Sequence, residues 1–130
     1  MSCGQLIVMS RERLMELARS EDTSIEVLIV LAENVDYLVV CEVARNLNTP
    51  VEVLYKLSRS VDWNVRYAVA WNNNAPVDVL TELSKDKEWW VRYLVAKNPN
   101  TPIAVLITLA KYKNTIVCER AIKELERRRK

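Results

Sequence analysis

The sequence predicts an all-α chain built as a helical solenoid of two-helix units, and three observations carry that reading. Thr23, Thr49, Ala75 and Thr101 stand 26 residues apart with no insertion, a period in the range of stacked repeats. An Asn-rich junction recurs as Asn46-Leu47-Asn48-Thr49-Pro50, Asn72-Asn73-Asn74-Ala75-Pro76 and Asn98-Pro99-Asn100-Thr101-Pro102. One Gly and four Pro in 130 residues leave few places for tight turns, while Ala, Leu, Val and Glu fill the intervals as helices require.

Taken in order, residues 1–22 read as the second half of a unit, because Leu17-Ala18 aligns with Val43-Ala44, Val69-Ala70 and Val95-Ala96. A terminal cap needs a polar outer face, which Arg11, Glu12, Arg13, Glu16 and Arg19 supply. Residues 23–48, 49–74, 75–100 and 101–126 form four units of one domain, followed by the basic tail 127–130. The middle two agree at 14 of 26 positions, where unrelated sequence would agree at about one or two.

Each unit opens with a short helix A, apolar at Val51, Val53, Leu54 and Leu57 and again at Val77, Val79, Leu80 and Leu83, which is helical spacing. Thr49-Pro50-Val51-Glu52 predicts its start: the Thr hydroxyl caps an orphan amide, Pro50 occupies the first helical position and Glu52 completes a capping box. Thr23-Ser24-Ile25-Glu26 repeats the box without Pro, whereas Ala75 lacks the hydroxyl and Ala104 replaces the acid. Helix B is expected to begin near Asp36, Asp62, Glu88 and Asn114 and to end on Asn46, Asn72 and Asn98 as C-terminal caps. In the last unit Glu124 and Glu126 replace both Asn positions, so that helix should run on towards Arg129.

The pattern T-P-x-E-V-L-x-x-L-S followed by acidic-W-x-V-R-Y-x-V-A-x-N-x-N resembles the leucine-rich repeat variant family, a relative in style of HEAT and armadillo repeats. The resemblance covers residues 23–126 and is best over 49–102. It implies a right-handed superhelix of alternating short helices, one of each pair open to 3₁₀ geometry. The family's founding member is associated with a cysteine-rich iron-sulfur segment at its N-terminus. This chain has only Cys3 there, so no cluster carries over and no cofactor is expected.

Two sets of side chains stand out on helix B. On a wheel turned by about 100° per residue, Arg92 interrupts the apolar arc of Val91, Val95 and Ala96, and Arg66 does the same beside Val65, Val69 and Ala70. A half-buried guanidinium needs partners. Asp62 and Glu88 lie four residues earlier and suggest a structural ladder, Asp62 with Arg66 and Glu88 with Arg92. Val40 and Cys118 interrupt it at either end. Trp63 and Trp89 share a column with Tyr37 and are read as stacking between successive units. Tyr67, Trp71, Trp90 and Tyr93 form an aromatic stripe too large to be left exposed without use, and Arg45 and Lys97 edge it with positive charge. These six residues are the candidate partner-binding set, suited to a protein or peptide and, as the alternative, to single-stranded nucleic acid.

Catalysis has little to stand on. The chain has no His, no Gly-rich phosphate loop, no Ser with a plausible base and no metal-ligand cluster. Trp63, Trp89, Arg66 and Asp62 match, by residue type only, the groove of helical-repeat DNA glycosylases, which is analogy at the level of fold. The net charge of +2 neither demands nor excludes a nucleic-acid partner. Cys3, Cys41 and Cys118 lack C-x-x-C spacing, which points to a reduced, cytoplasmic protein with packing rather than reactive thiols. The run Leu6 to Met9 is too short for a signal-peptide core and the stretch Val27 to Leu31 too short for a membrane span. The expected function is therefore a non-catalytic interaction scaffold.

Overall fold

The computed structural model describes residues 8–129, so Cys3, the first seven residues of the expected cap and Lys130 lie outside the described residues. The described residues are all-helical and contain no strand. The helices are α1 (Arg11–Arg19), α2 (Ile25–Leu31), α3 (Tyr37–Arg45), α4 (Val51–Leu57), α5 (Trp63–Trp71), α6 (Val77–Leu83), α7 (Trp89–Lys97), α8 (Ile103–Leu109) and α9 (Thr115–Arg129). Contacts run in order: α1, α3, α5, α7 and α9 pack each on the next, and the short helices α2, α4, α6 and α8 pack on their chain neighbours.

The short helices are α-helical rather than 3₁₀, as the bonds from Leu54 N to Pro50 O at 3.1 Å and from Ser58 N to Leu54 O at 2.9 Å show. Each contributes two buried leucines, Leu28 and Leu31, Leu54 and Leu57, Leu80 and Leu83, Leu106 and Leu109, and all but Leu28 join one continuous core. The longer helices answer with Val39, Val65, Val91 and Val117 and with Ala18, Ala44, Ala70 and Ala96. Each buried Leu contributes about 2 kcal/mol of transfer free energy, and the alanines let successive helices approach closely.

The starts of the short helices differ from expectation. Pro50, Pro76 and Pro102 are the N-cap residues themselves and receive no side-chain cap, while Ser24 caps α2 by accepting from Val27 N at 3.3 Å. The Thr hydroxyls point backwards instead: Thr49 donates to Val43 O at 2.6 Å and Thr101 to Val95 O at 2.6 Å. They add a second bond to a last-turn carbonyl of the preceding helix, which also accepts from Asn46 N or Asn98 N at 3.1 Å. Ala75, buried at the same place, has no hydroxyl to offer.

The junction asparagines also do more than end a helix. Asn46, Asn72 and Asn98 are buried and extended in backbone conformation, not left-handed as an Asn cap would ordinarily be. Each carboxamide reaches carbonyls 28 and 26 residues earlier in sequence. Asn72 Nδ2 donates to Ala44 O at 2.8 Å and Asn46 O at 3.1 Å, and Asn98 Nδ2 to Ala70 O and Asn72 O, both at 2.9 Å. Each Oδ1 accepts the amide two residues on, as from Asn74 N to Asn72 at 2.7 Å. Asn48 and Asn74 add outer rungs to Glu21 O at 2.7 Å and Leu47 O at 2.6 Å.

At the last helix the asparagine rungs give way to charge. Glu124, at the Asn position, is buried and gathers Arg127, Arg128 and Arg120. Arg128 in turn donates to Asn98 O at 3.1 Å and Pro99 O at 3.0 Å, and to Thr101 O. Arg128 is therefore a closing brace across the preceding junction, while Arg127 pairs with Glu124 from an exposed position. Hydrogen bonds from these arginines hold the Glu124 carboxyl down at about 2.

Candidate functional site

Helices α3, α5 and α7 present Tyr37, Trp63 and Trp89 at their first positions, and the packing of α3 on α5 and α5 on α7 sets these rows side by side. Asp36 and Asp62 hold the helix starts by accepting from Leu38 N and Asn64 N, both at 3.0 Å. A groove of about 370 Å³ opens here, lined by Tyr37, Leu38, Cys41, Arg45, Trp63, Asn64, Tyr67 and Trp90.

Three of the six expected partner-binding residues, Arg45, Tyr67 and Trp90, meet in this groove. Trp71 and Lys97 line a separate cleft of about 270 Å³ with Leu47, Asn73 and Leu94, at the far ends of α5 and α7. Tyr93 packs partly buried against the core, and Lys97 Nζ lies 5.7 Å from its ring centre. The single stripe is thus two adjoining surfaces.

The expected Trp63–Trp89 stack is not formed. Trp63 meets Trp90 edge-on, ring centres 5.1 Å apart, and also touches Tyr67 at 6.1 Å; Trp90 leans on Trp89 at 5.5 Å. Trp90, one residue further round the helix, is the ring that crosses the gap. Trp63 is 39% exposed and Tyr37 46%, so both belong to the groove wall, whereas Trp89 is partly buried against the core. Trp71 is 50% exposed in the neighbouring cleft. The indole Nε1 of Trp90 is buried without a hydrogen-bond partner among the described residues.

The arginine ladder exists with other partners. Arg66 turns away from Asp62 and forms a two-pronged pair with Asp86, Nε to Oδ2 at 2.7 Å and Nη2 to Oδ1 at 3.2 Å, while Nη1 donates to Ser60 O at 2.9 Å. That bond to Asp86 raises the Arg66 pKa and holds the guanidinium charged. Asp62 is occupied instead with Asn64, whose side chain donates to it at 2.8 Å. Arg92 ignores Glu88, donates to Asp86 O at 2.6 Å and lies 4.7 Å over the Tyr112 ring. Its Nε is buried with no partner among the described residues, and the cation–π contact offsets part of that cost. Glu88 precedes α7 without a side-chain cap. The loop carboxylate Asp86 is the residue that sequence reasoning missed; its only signal was its place two residues before the N-cap, where Ser60 and Asn34 stand before α5 and α3.

No family model, curated protein or solved structure matches the chain. The chemistry of the groove therefore carries the functional reading. Cys41 at its floor is buried, and burial pushes its thiol up to about 11, with Asp62 and Glu42 adding to the rise and Arg45 opposing it. Such a thiol is a poor nucleophile. Among the described residues no group of three or more His, Cys, Asp or Glu side chains could hold a metal ion, and no helix is long and apolar enough to cross a membrane. What the groove offers is aromatic area and positive charge, with Arg45 at the rim only loosely engaged by Glu42 at 3.6 Å.

Proposed function

We propose that the chain is a right-handed solenoid of 26-residue two-helix units, of leucine-rich repeat variant kind, that binds a protein or peptide along the α3–α5–α7 face. Recurrence supports the architecture: the same buried Asn carboxamide reaches carbonyls 28 and 26 residues back at three successive junctions. The observation that carries the binding reading is the groove formed by Tyr37, Trp63, Tyr67 and Trp90, with Arg45 at its edge. Aromatic rings with two rotatable bonds give large contact area at low ordering cost, and an arginine rim is common at interface edges. The scaffold is non-catalytic and acts by presenting this surface.

A nucleic-acid partner is the weaker reading because two of the tail arginines are engaged internally. Arg127 and Arg128 are held by Glu124, and Arg128 also braces three backbone carbonyls. Phosphate contact needs several free cations and gives steep salt dependence.

The test is selection of peptides from a displayed random library against the full chain. Peptides that bind the native protein should lose at least tenfold in affinity with Trp63→Ala or Trp90→Ala, and should keep their affinity with Trp71→Ala if the α3–α5–α7 groove is the seat. Selected peptides indifferent to both groove tryptophans would refute the assignment.

A further inference from the structure

The fourth residue after each of the acidic N-caps is Val40 in α3, Arg66 in α5 and Arg92 in α7. The two arginines make one contact in common. Each Nη1 donates to the carbonyl six residues earlier, Ser60 O at 2.9 Å for Arg66 and Asp86 O at 2.6 Å for Arg92. Each guanidinium also reaches the side chain twenty residues later, Asp86 for Arg66 and the ring of Tyr112 for Arg92. Val40 is too short for either contact. Its counterpart carbonyl, Asn34 O, accepts no bond among the described residues, and its counterpart side chain is Ser60.

The space that an arginine fills twice is therefore open once. A notch of about 320 Å³ lies there, lined by Asn34, Tyr37, Val40, Ser60 and Asp62 among others. Its acceptors are those a guanidinium uses in the following units: a loop carbonyl, a polar side chain one loop on, and here the Asp62 carboxylate. Asp62 spends Oδ1 on the α5 start and on Asn64, and Oδ2 accepts no bond among the described residues. Lys56 also borders the notch, but its Nζ is paired with Glu33. Tyr37 is a shared wall, lining both this notch and the aromatic groove.

We propose that the notch beside Val40 receives an arginine side chain of the partner that lies in the aromatic groove. The proposal rests on the peptide-binding reading for the rest of the partner, but the notch has chemistry of its own. The partner is thus a peptide segment carrying an arginine next to the residues that meet Tyr37 and Trp63. Guanidinium is favoured over ammonium because its planar fork meets a carbonyl and a carboxylate at once.

The test uses the full chain labelled for amide-resolved NMR and titrated with acetyl-arginine amide, with acetyl-citrulline amide as the uncharged isostere. Saturable shifts at Asn34, Val40, Ser60 and Asp62 are expected with arginine, and binding of citrulline should be weaker by about tenfold or more. Val40→Arg places the chain's own guanidinium in the notch and should abolish the shifts. Asp62→Asn keeps a good N-cap and should weaken arginine several-fold, so the inference stays testable should Val40→Arg not fold. Trp63→Ala should leave the arginine shifts in place while weakening the selected peptides. Absence of arginine-dependent shifts, equal binding of citrulline, or unchanged shifts in Val40→Arg would overturn the notch. Selected peptides that depend on Trp63 but tolerate arginine-to-citrulline replacement would overturn it while leaving the groove reading intact.

Discussion

Replacing Asn72 by Ala should be among the most damaging polar substitutions in the chain. Its side chain is wholly buried and makes three hydrogen bonds, two as donor to Ala44 O and Asn46 O and one as acceptor from Asn74 N. Asn46 O keeps a second bond, from Thr49 N at 3.1 Å, whereas Ala44 O and Asn74 N lose the partner that the Asn72 side chain supplies; at about 1 kcal/mol net per bond the expected loss is about 3 kcal/mol. Against a total stability of about 5–15 kcal/mol this is large. Unfolding entropy of about 2.1 cal/mol/K per residue over 130 residues turns it into a fall in melting temperature of about 11 °C. Urea unfolding followed by tryptophan fluorescence and by far-ultraviolet circular dichroism measures the change in midpoint, with Asn74→Ala as the comparison. Asn74 is exposed and donates one outer bond, to Leu47 O at 2.6 Å, so its loss should be about 1 kcal/mol or less. A loss for Asn72→Ala below about 1 kcal/mol, or equal to that of Asn74→Ala, would refute the claim that the carboxamide ties the end of α5 to the end of α3.

The remaining predictions concern the other rungs and the groove floor. Ala75→Thr should stabilise by about 0.5–1 kcal/mol, because the hydroxyl gains the carbonyl that Thr49 and Thr101 use; thermal unfolding would show it. Glu124 is depressed to about 2 from 4.5, so its contribution is fully present above pH about 4.5 and is lost as pH falls through about 2. Discounted for screening at the partly open helix end, that contribution is about 1–2 kcal/mol. Glu124→Gln should therefore be less stable than wild type at pH 6 and should approach it near pH 2 in urea titrations. Cys41, raised from 9.0 to about 11, should react with a maleimide about 100-fold more slowly in the native state than in urea near pH 7.5, measured with Cys3 and Cys118 replaced by Ser. The same shift stabilises the fold below pH 9 and is lost as pH rises through about 11.

The helices were legible because their apolar spacing and acidic starts are local properties of ten-residue stretches. Asp36, Asp62 and Glu88 sit at the N-caps of α3, α5 and α7, and α9 runs on to Arg129 where the junction asparagines cease. What the sequence concealed was direction. A Thr before Pro can cap the helix that follows or close the one that precedes it, and both use the same hydroxyl; the backbone path chose the second at Thr49 and Thr101. Arg66 had Asp62 at ideal helical spacing, yet Asp86 on the next loop is a better-placed, two-pronged partner, and only the packing of α5 on α7 brings it there. The aromatic contacts failed for a related reason. Trp63 and Trp89 hold the same first position on α5 and α7, yet Trp63 meets Trp90, one residue further on.

The central claim is that the groove of Tyr37, Trp63, Tyr67 and Trp90 receives a peptide. With the four tryptophans fluorine-labelled and assigned by substitution, titration of a selected peptide should shift the Trp63 and Trp90 resonances together and leave Trp89 in place. A peptide that binds saturably while shifting neither Trp63 nor Trp90 would contradict the account.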